Sequence, residues 1–120
     1  MTVHRVLGCG FLEKVYGNAL GVELRDRGLE LQRQVEFPVE YRGHSVGQYF
    51  ADFVVENSLL LEVKAARTLI PEHESQLLNY LYASRIQTGL LFNFGSRSLQ
   101  FKRLTIAPMN SRFGQLSSSM

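Results

Sequence analysis

The chain has 120 residues, with 13 Lys or Arg, 11 Asp or Glu, and a formal net charge of +2. That length suits one domain with one core, leaving no room for a cofactor domain beside a substrate domain. At 45% apolar residues the composition is that of a folded globular chain, and no apolar run approaches the ~18 residues of a membrane span.

Periodicity predicts a helix over Phe11–Arg27, where Leu12, Val15, Tyr16, Ala19, Leu20 and Val22 recur at helical spacing. Gly28 closes it, and Gly8-Cys9-Gly10 breaks the chain before it. Residues 2–7 are too few to make a firm helix alone. Leu29–Tyr41 alternates as a strand with an irregularity at Pro38, and Arg42-Gly43-His44 is a turn. Val46–Val55 is a second strand, Glu56-Asn57-Ser58 a second turn, and Leu59–Ala65 a third strand. The three make an antiparallel meander. Pro71 opens a helix running to Ser84, with Glu72 and Glu74 in its first turn. Gln87–Phe94 and Leu99–Ile106 are two more strands. The order is therefore α-β-β-β-α-β-β within residues 1–106, with 107–120 as a polar, flexible tail.

The hairpin between the second and third strands carries the chemistry. With its turn centred on Asn57, Asp52 lies opposite Glu62, their Cβ atoms about 5 Å apart. Alternation puts Lys64 on the same face, and Ala51, Phe53, Val55, Leu61 and Val63 on the opposite, core-facing one. Adjacent half-buried carboxylates repel each other and lose hydration, and a divalent cation relieves both. Two carboxylates, a backbone carbonyl and waters suit Mg²⁺ or Mn²⁺, which can activate water and stabilise a phosphoryl transition state. Lys64 can hold the attacking water or neutralise charge on a phosphate oxygen. The structural alternative is a Lys64–Glu62 ion pair with Asp52 as a polar neighbour.

His73, Gln76 and Tyr80 share one helix face, at i, i+3 and i+7. His73 and Gln76 can point at the carboxylates; equally, His73 can be a surface residue and Tyr80 a core aromatic. On the first helix Glu13 is either a third carboxylate or a favourable charge at the helix start. The single cysteine, Cys9, excludes an internal disulfide and a cysteine-rich zinc site. Met1–Arg5 lacks an apolar signal core, so a cytoplasmic location is expected.

Charge is uneven along the chain. All acids lie within residues 1–74, whereas 75–120 hold none but carry Arg85, Arg97, Lys102, Arg103 and Arg112. Either this is chance in a small protein, or an acidic metal site adjoins a phosphate-binding surface.

Gly10, Glu13 and Tyr16 match the spacing GxxExxY, and Asp52 with Glu62-Val63-Lys64 matches D…ExK. Together with His73–Leu81 and Gly89–Gly95, this set resembles the GxxExxY family of small proteins, within the PD-(D/E)xK nuclease superfamily. The likeness runs from about Val3 to Ile106. It implies a restriction-endonuclease-like α/β (α+β) core, a mixed sheet flanked by helices. It also implies Asp52, Glu62, the Val63 carbonyl and Glu13 as ligands of Mg²⁺ or Mn²⁺, with Lys64 as the catalytic lysine. Gln76 would then lie near the site, with His73, Tyr80 and Tyr16 in support. Two departures stand out: Ala51 replaces the motif's proline, and Val3-His4 and Leu7-Gly8 follow Met1 without the family's longer leading helix.

The expected activity is metal-dependent hydrolysis of phosphodiester bonds in DNA, or less readily RNA. Arg85, Arg97, Lys102 and Arg103 are the candidate backbone contacts, and a homodimer or partner protein would add grip. The alternatives are a non-catalytic nucleic-acid-binding or accessory protein retaining the fold, and a structural protein whose acidic cluster is an ion-pair network.

Overall fold

The structure, a computed structural model, describes residues 1–107; the tail expected beyond them lies outside the described residues. Its elements are α1 (Thr2–Leu7), α2 (Glu13–Asp26), β1 (Leu31–Tyr41), β2 (His44–Val55), β3 (Leu59–Lys64), α3 (Pro71–Ser84), β4 (Thr88–Asn93) and β5 (Gln100–Thr105). The predicted order holds, with α1 added. Six residues do not sustain a helix by propensity, so α1 forms through packing. Val3 is buried in the core, and the His4 ring Nε2 lies 2.9 Å from the Ser96 carbonyl.

The five strands lie in chain order, β1-β2-β3-β4-β5. β1, β2 and β3 form the predicted antiparallel meander. Helix α3 carries the chain back, so β4 pairs with β3 in parallel, and β5 returns antiparallel to β4. The inner strands read Leu59-Leu60-Leu61 and Gly89-Leu90-Leu91 because both of their faces are covered. On one face Val3, Tyr16, Leu20, Phe53, Leu61, Val63 and Phe94 form a core under α1 and α2. On the other, Tyr49, Ala51, Val54, Leu60, Leu77, Leu81 and Leu91 form a second core under α3. The result is a mixed sheet flanked by helices, and no helix among the described residues is long and apolar enough to cross a membrane.

One expectation of strict alternation fails. Alternation puts Ala51 on the face of Phe53 and Val55, but it packs under α3 with Tyr49, while Phe53 and Val55 pack under α2. The strand changes face at Asp52. Its neighbour β1 changes face at the same level, where Gln34 has a left-handed φ of 50°. Arg33 pairs with Phe53 and Val35 with Ala51, so the two strands kink together without losing register.

Candidate active site

The β2–β3 ladder consists of Val55–Leu59, Val54–Leu60 and Phe53–Leu61, so its next step is Asp52 with Glu62, as predicted. The backbone ladder stops there. Asp52 turns its own carboxylate on the neighbouring strand, and Oδ2 accepts the Val63 amide at 2.7 Å. Its Oδ1 accepts a longer bond, 3.4 Å, from the Gln34 side-chain amide. Glu62 projects from β3 on the α3 side and is only 6% exposed. Its Oε1 is buried without a hydrogen-bond partner among the described residues. Burial, and then the Asp52 charge beside it, push the Glu62 carboxyl up to about 9.

Lys64, two residues on, lies on the same side. Its Nζ donates to Gln76 Oε1 at 3.2 Å, which brings the predicted α3 residue to the carboxylate group. The expected alternative, a Lys64–Glu62 ion pair, is not formed; the ion pair among the described residues is Arg27–Glu23. Glu13, in the first turn of α2, approaches from the other face. Burial raises its pKa; Lys64 and His73 pull it down, and Asp52 pushes it up. The N-terminal ends of α2 and α3, on opposite faces of the sheet, therefore both lie near the end of β3.

Not every expected side chain reaches this point. The predicted ligand set of Asp52, Glu62 and Glu13 is not drawn together: among the described residues no three His, Cys, Asp or Glu side chains form a metal-holding group. Glu13 is an electrostatic neighbour of Asp52, carried on a separate helix. The chemistry of the remaining donors still fits a hard divalent cation. Two carboxylates adjoin, and one buried oxygen has no donor to satisfy it.

His73 turns inward on its own helix, where Nδ1 accepts the Ile70 amide at 3.1 Å and closes the start of α3. Tyr80 stacks on Tyr49 with ring centroids 3.9 Å apart, and Tyr49 donates its hydroxyl proton to the Tyr80 carbonyl. Burial raises the Tyr80 hydroxyl's pKa, and the charges of Glu62 and Asp52 add to this. Tyr80 thus forms an aromatic wall beside the carboxylates.

Tyr16 sits in the opposite core, fully buried. Its hydroxyl donates to the Gly8 carbonyl at 2.5 Å and accepts the Phe11 amide at 3.2 Å, while its ring stacks on Phe94. Gly10, between those two contacts, has φ 120°, a conformation reserved for glycine. The glycine and tyrosine of the GxxExxY spacing thus lock the turn that launches Glu13.

A family model described as the PD-(D/E)XK nuclease superfamily matches residues 1–104. The chain belongs to that superfamily. No curated protein matches it in sequence. Among solved structures, one described as SSO0001 superposes with a TM-score of 0.62 at 17% identity, covering 88% of this chain and 55% of that one. An alkaline exonuclease, LHK-Exo from Laribacter hongkongensis, superposes with a TM-score of 0.61 at 11% identity, covering 88% and 60%. LHK-Exo in complex with dAMP gives 0.60 at 12% identity with the same coverage. The chain thus spans little more than half the length of these proteins, and at such identities the likeness is one of fold.

Within this superfamily member the four basic candidates do not form one surface. Arg85 caps the C-terminal end of α3, next to the start of β4, whereas Arg97 lies in the β4–β5 loop at the other end of that strand. Lys102 and Arg103 are neighbours on β5, so alternation sends them to opposite faces. Sequence reading also missed Gln34 beside Asp52. Counting back from the Arg42-Gly43 turn would have placed it there to within one residue, the offset introduced by the bulge between Val39 and Glu40.

Proposed function

We propose that the protein is a divalent-metal-dependent nuclease that hydrolyses phosphodiester bonds, with DNA the favoured substrate. The observation that carries this reading is Glu62: a buried carboxyl with an unpartnered oxygen, next to Asp52 and two residues from Lys64. A buried acid of that kind is costly to ionise alone. Asp52 and Glu62, with the Val63 carbonyl, would hold Mg²⁺ or Mn²⁺, and Glu13 would add negative charge nearby. The cation, when bound, supplies Lewis-acid stabilisation and a more acidic water. Lys64, held by Gln76, donates from Nζ to a phosphate oxygen and offsets its developing charge. The Tyr49–Tyr80 stack lies near enough for the Glu62 charge to raise both hydroxyls. Membership of the superfamily supports the reading, and so does the fold shared with an alkaline exonuclease. The Gly10, Glu13 and Tyr16 spacing supports assignment to the GxxExxY branch.

The test is cleavage of single-stranded, duplex and circular DNA and of RNA with added Mn²⁺, using Lys64→Ala as the control. Metal-dependent cleavage that disappears in the variant supports the reading. Equal activity in the variant means the chemistry lies elsewhere.

A further inference from the structure

A second polar pocket borders Asp52 on the α2 side of the sheet. It has a volume of about 170 Å³, several water molecules' worth, and is lined in part by Glu13, Lys14, Gly17, Arg33, Gln34 and Asp52. Its main feature is Arg33, which two neighbours hold in place. Nη2 donates to Asn18 Oδ1 at 2.9 Å. The guanidinium lies 5.1 Å from the centre of the Phe53 ring, its cross-strand partner.

These contacts orient the guanidinium without neutralising it. Among the described residues the ion pair is Arg27–Glu23, so no carboxylate is within ion-pair reach of Arg33. An arginine fixed by an amide and an aromatic face keeps its planar fork available for an oxyanion. Lys14 adds a second positive charge at an exposed position on the same pocket. Glu13 and Asp52 also border it, so an anion is favoured only on the side of the two cations.

We propose that Arg33, assisted by Lys14, is a phosphate-binding subsite for the nucleic-acid strand, placed next to the Asp52 centre. The proposal rests on the nuclease reading and adds where the strand is gripped. The phosphate is either an internal phosphodiester or a terminal phosphomonoester.

The experiment measures anisotropy of a labelled oligonucleotide with EDTA present, so that binding is read without cleavage. Three probes are used: linear with a terminal phosphate, linear with hydroxyl ends, and circular. Arg33→Ala is expected to weaken binding about tenfold and to lower the log–log salt slope by about 1. Arg33→Lys should recover part of the loss, because the charge returns without the fork. Lys14→Ala, at an exposed helix position, should also lower the slope. Equal loss on all three probes assigns an internal phosphodiester; loss confined to the phosphorylated end assigns a terminal one. Native-like affinity and salt slope in both the Arg33→Ala and Lys14→Ala variants overturn the subsite. If the native chain binds through Arg33 but no metal yields cleavage, the nuclease reading fails and the subsite stands. Cleavage by the native chain with Arg33→Ala unimpaired has the reverse meaning. No binding by the native chain to any probe overturns the subsite, while the nuclease reading still stands or falls on Mn²⁺-dependent cleavage.

Discussion

Asp52 and Val63 are joined by a carboxylate–amide hydrogen bond of 2.7 Å, formed where the β2–β3 backbone ladder ends. The bond gives Asp52 a structural duty beside any chemical one, and two substitutions separate them. Asp52→Asn keeps an oxygen for the Val63 amide but loses the charge. It is expected to fold normally while losing Mn²⁺ binding and at least about a hundredfold in cleavage rate. Asp52→Ala also strands the buried amide and should cost about 1–3 kcal/mol in denaturant unfolding. Equal stability of the two variants would show that the amide bond contributes nothing.

Glu62 makes the metal-free protein pH-sensitive. Its carboxyl is raised from 4.5 to about 9, burial being the larger cause. Between those values the folded form holds a proton that the unfolded form has released. The stabilisation is therefore complete below about 4.5 and is lost as pH rises towards about 9. Thermal melts in EDTA should show Tm falling across this window, more steeply than in Glu62→Gln. Adding Mn²⁺ near neutral pH should raise Tm and release a proton, measurable by calorimetry in buffers of different ionisation enthalpy. A native slope no steeper than that of Glu62→Gln counts against the burial argument.

Lys64 and Gln76 are expected to act unequally. Lys64→Ala removes the charge and should lower kcat by about a hundredfold or more. Gln76→Ala leaves Lys64 in place but unheld, so kcat should fall about three- to tenfold with KM nearly unchanged. Gln76→Glu should restore an acceptor for Nζ and recover part of the loss. Single-turnover cleavage distinguishes these outcomes.

The Tyr16 hydroxyl bridges Gly8 and Phe11 from inside the core. Tyr16→Phe keeps the stack on Phe94 but leaves those backbone groups unpaired, at a cost of about 1–3 kcal/mol. Gly10→Ala, at φ 120°, should destabilise the same turn. Urea unfolding checks both; a stability loss without the activity loss expected of Asp52→Asn would confirm that Tyr16 supports the fold rather than the chemistry.

Gly95 tests the junction behind β3. A Cβ there would lie 2.5 Å from the Ala65 carbonyl carbon and 2.6 Å from the Ala66 nitrogen, with backbone that cannot yield cheaply. Gly95→Ala should therefore destabilise by more than about 2 kcal/mol, read as a lower urea midpoint. The Asn93 side chain, which accepts the Ala66 amide and donates to the Ala66 carbonyl, belongs to the same junction.

The amino-acid sequence by itself determined the order of the elements, the hairpin register and the triad of charges. Helical spacing from Leu12 to Val22, Pro71 at a helix start, and turns at Arg42-Gly43 and Asn57 are local signals. Helix and strand periods act within a few residues. They sufficed to set Asp52 against Glu62 and to put Lys64 beside them. The tertiary structure alone decided the rest. Ala51 and Phe53 lie on different faces because two strands kink together at Gln34 and Asp52, and no period within one strand encodes that. Lys64 meets Gln76 rather than a carboxylate, and Glu13 stays a neighbour, because helix packing sets those distances. The composition showed a net charge of +2 and a basic second half; the fold disperses that half and instead sets Arg33, from the acidic half, on the pocket that Asp52 borders. Packing between distant segments fixes which charges meet, and a linear charge count carries none of it.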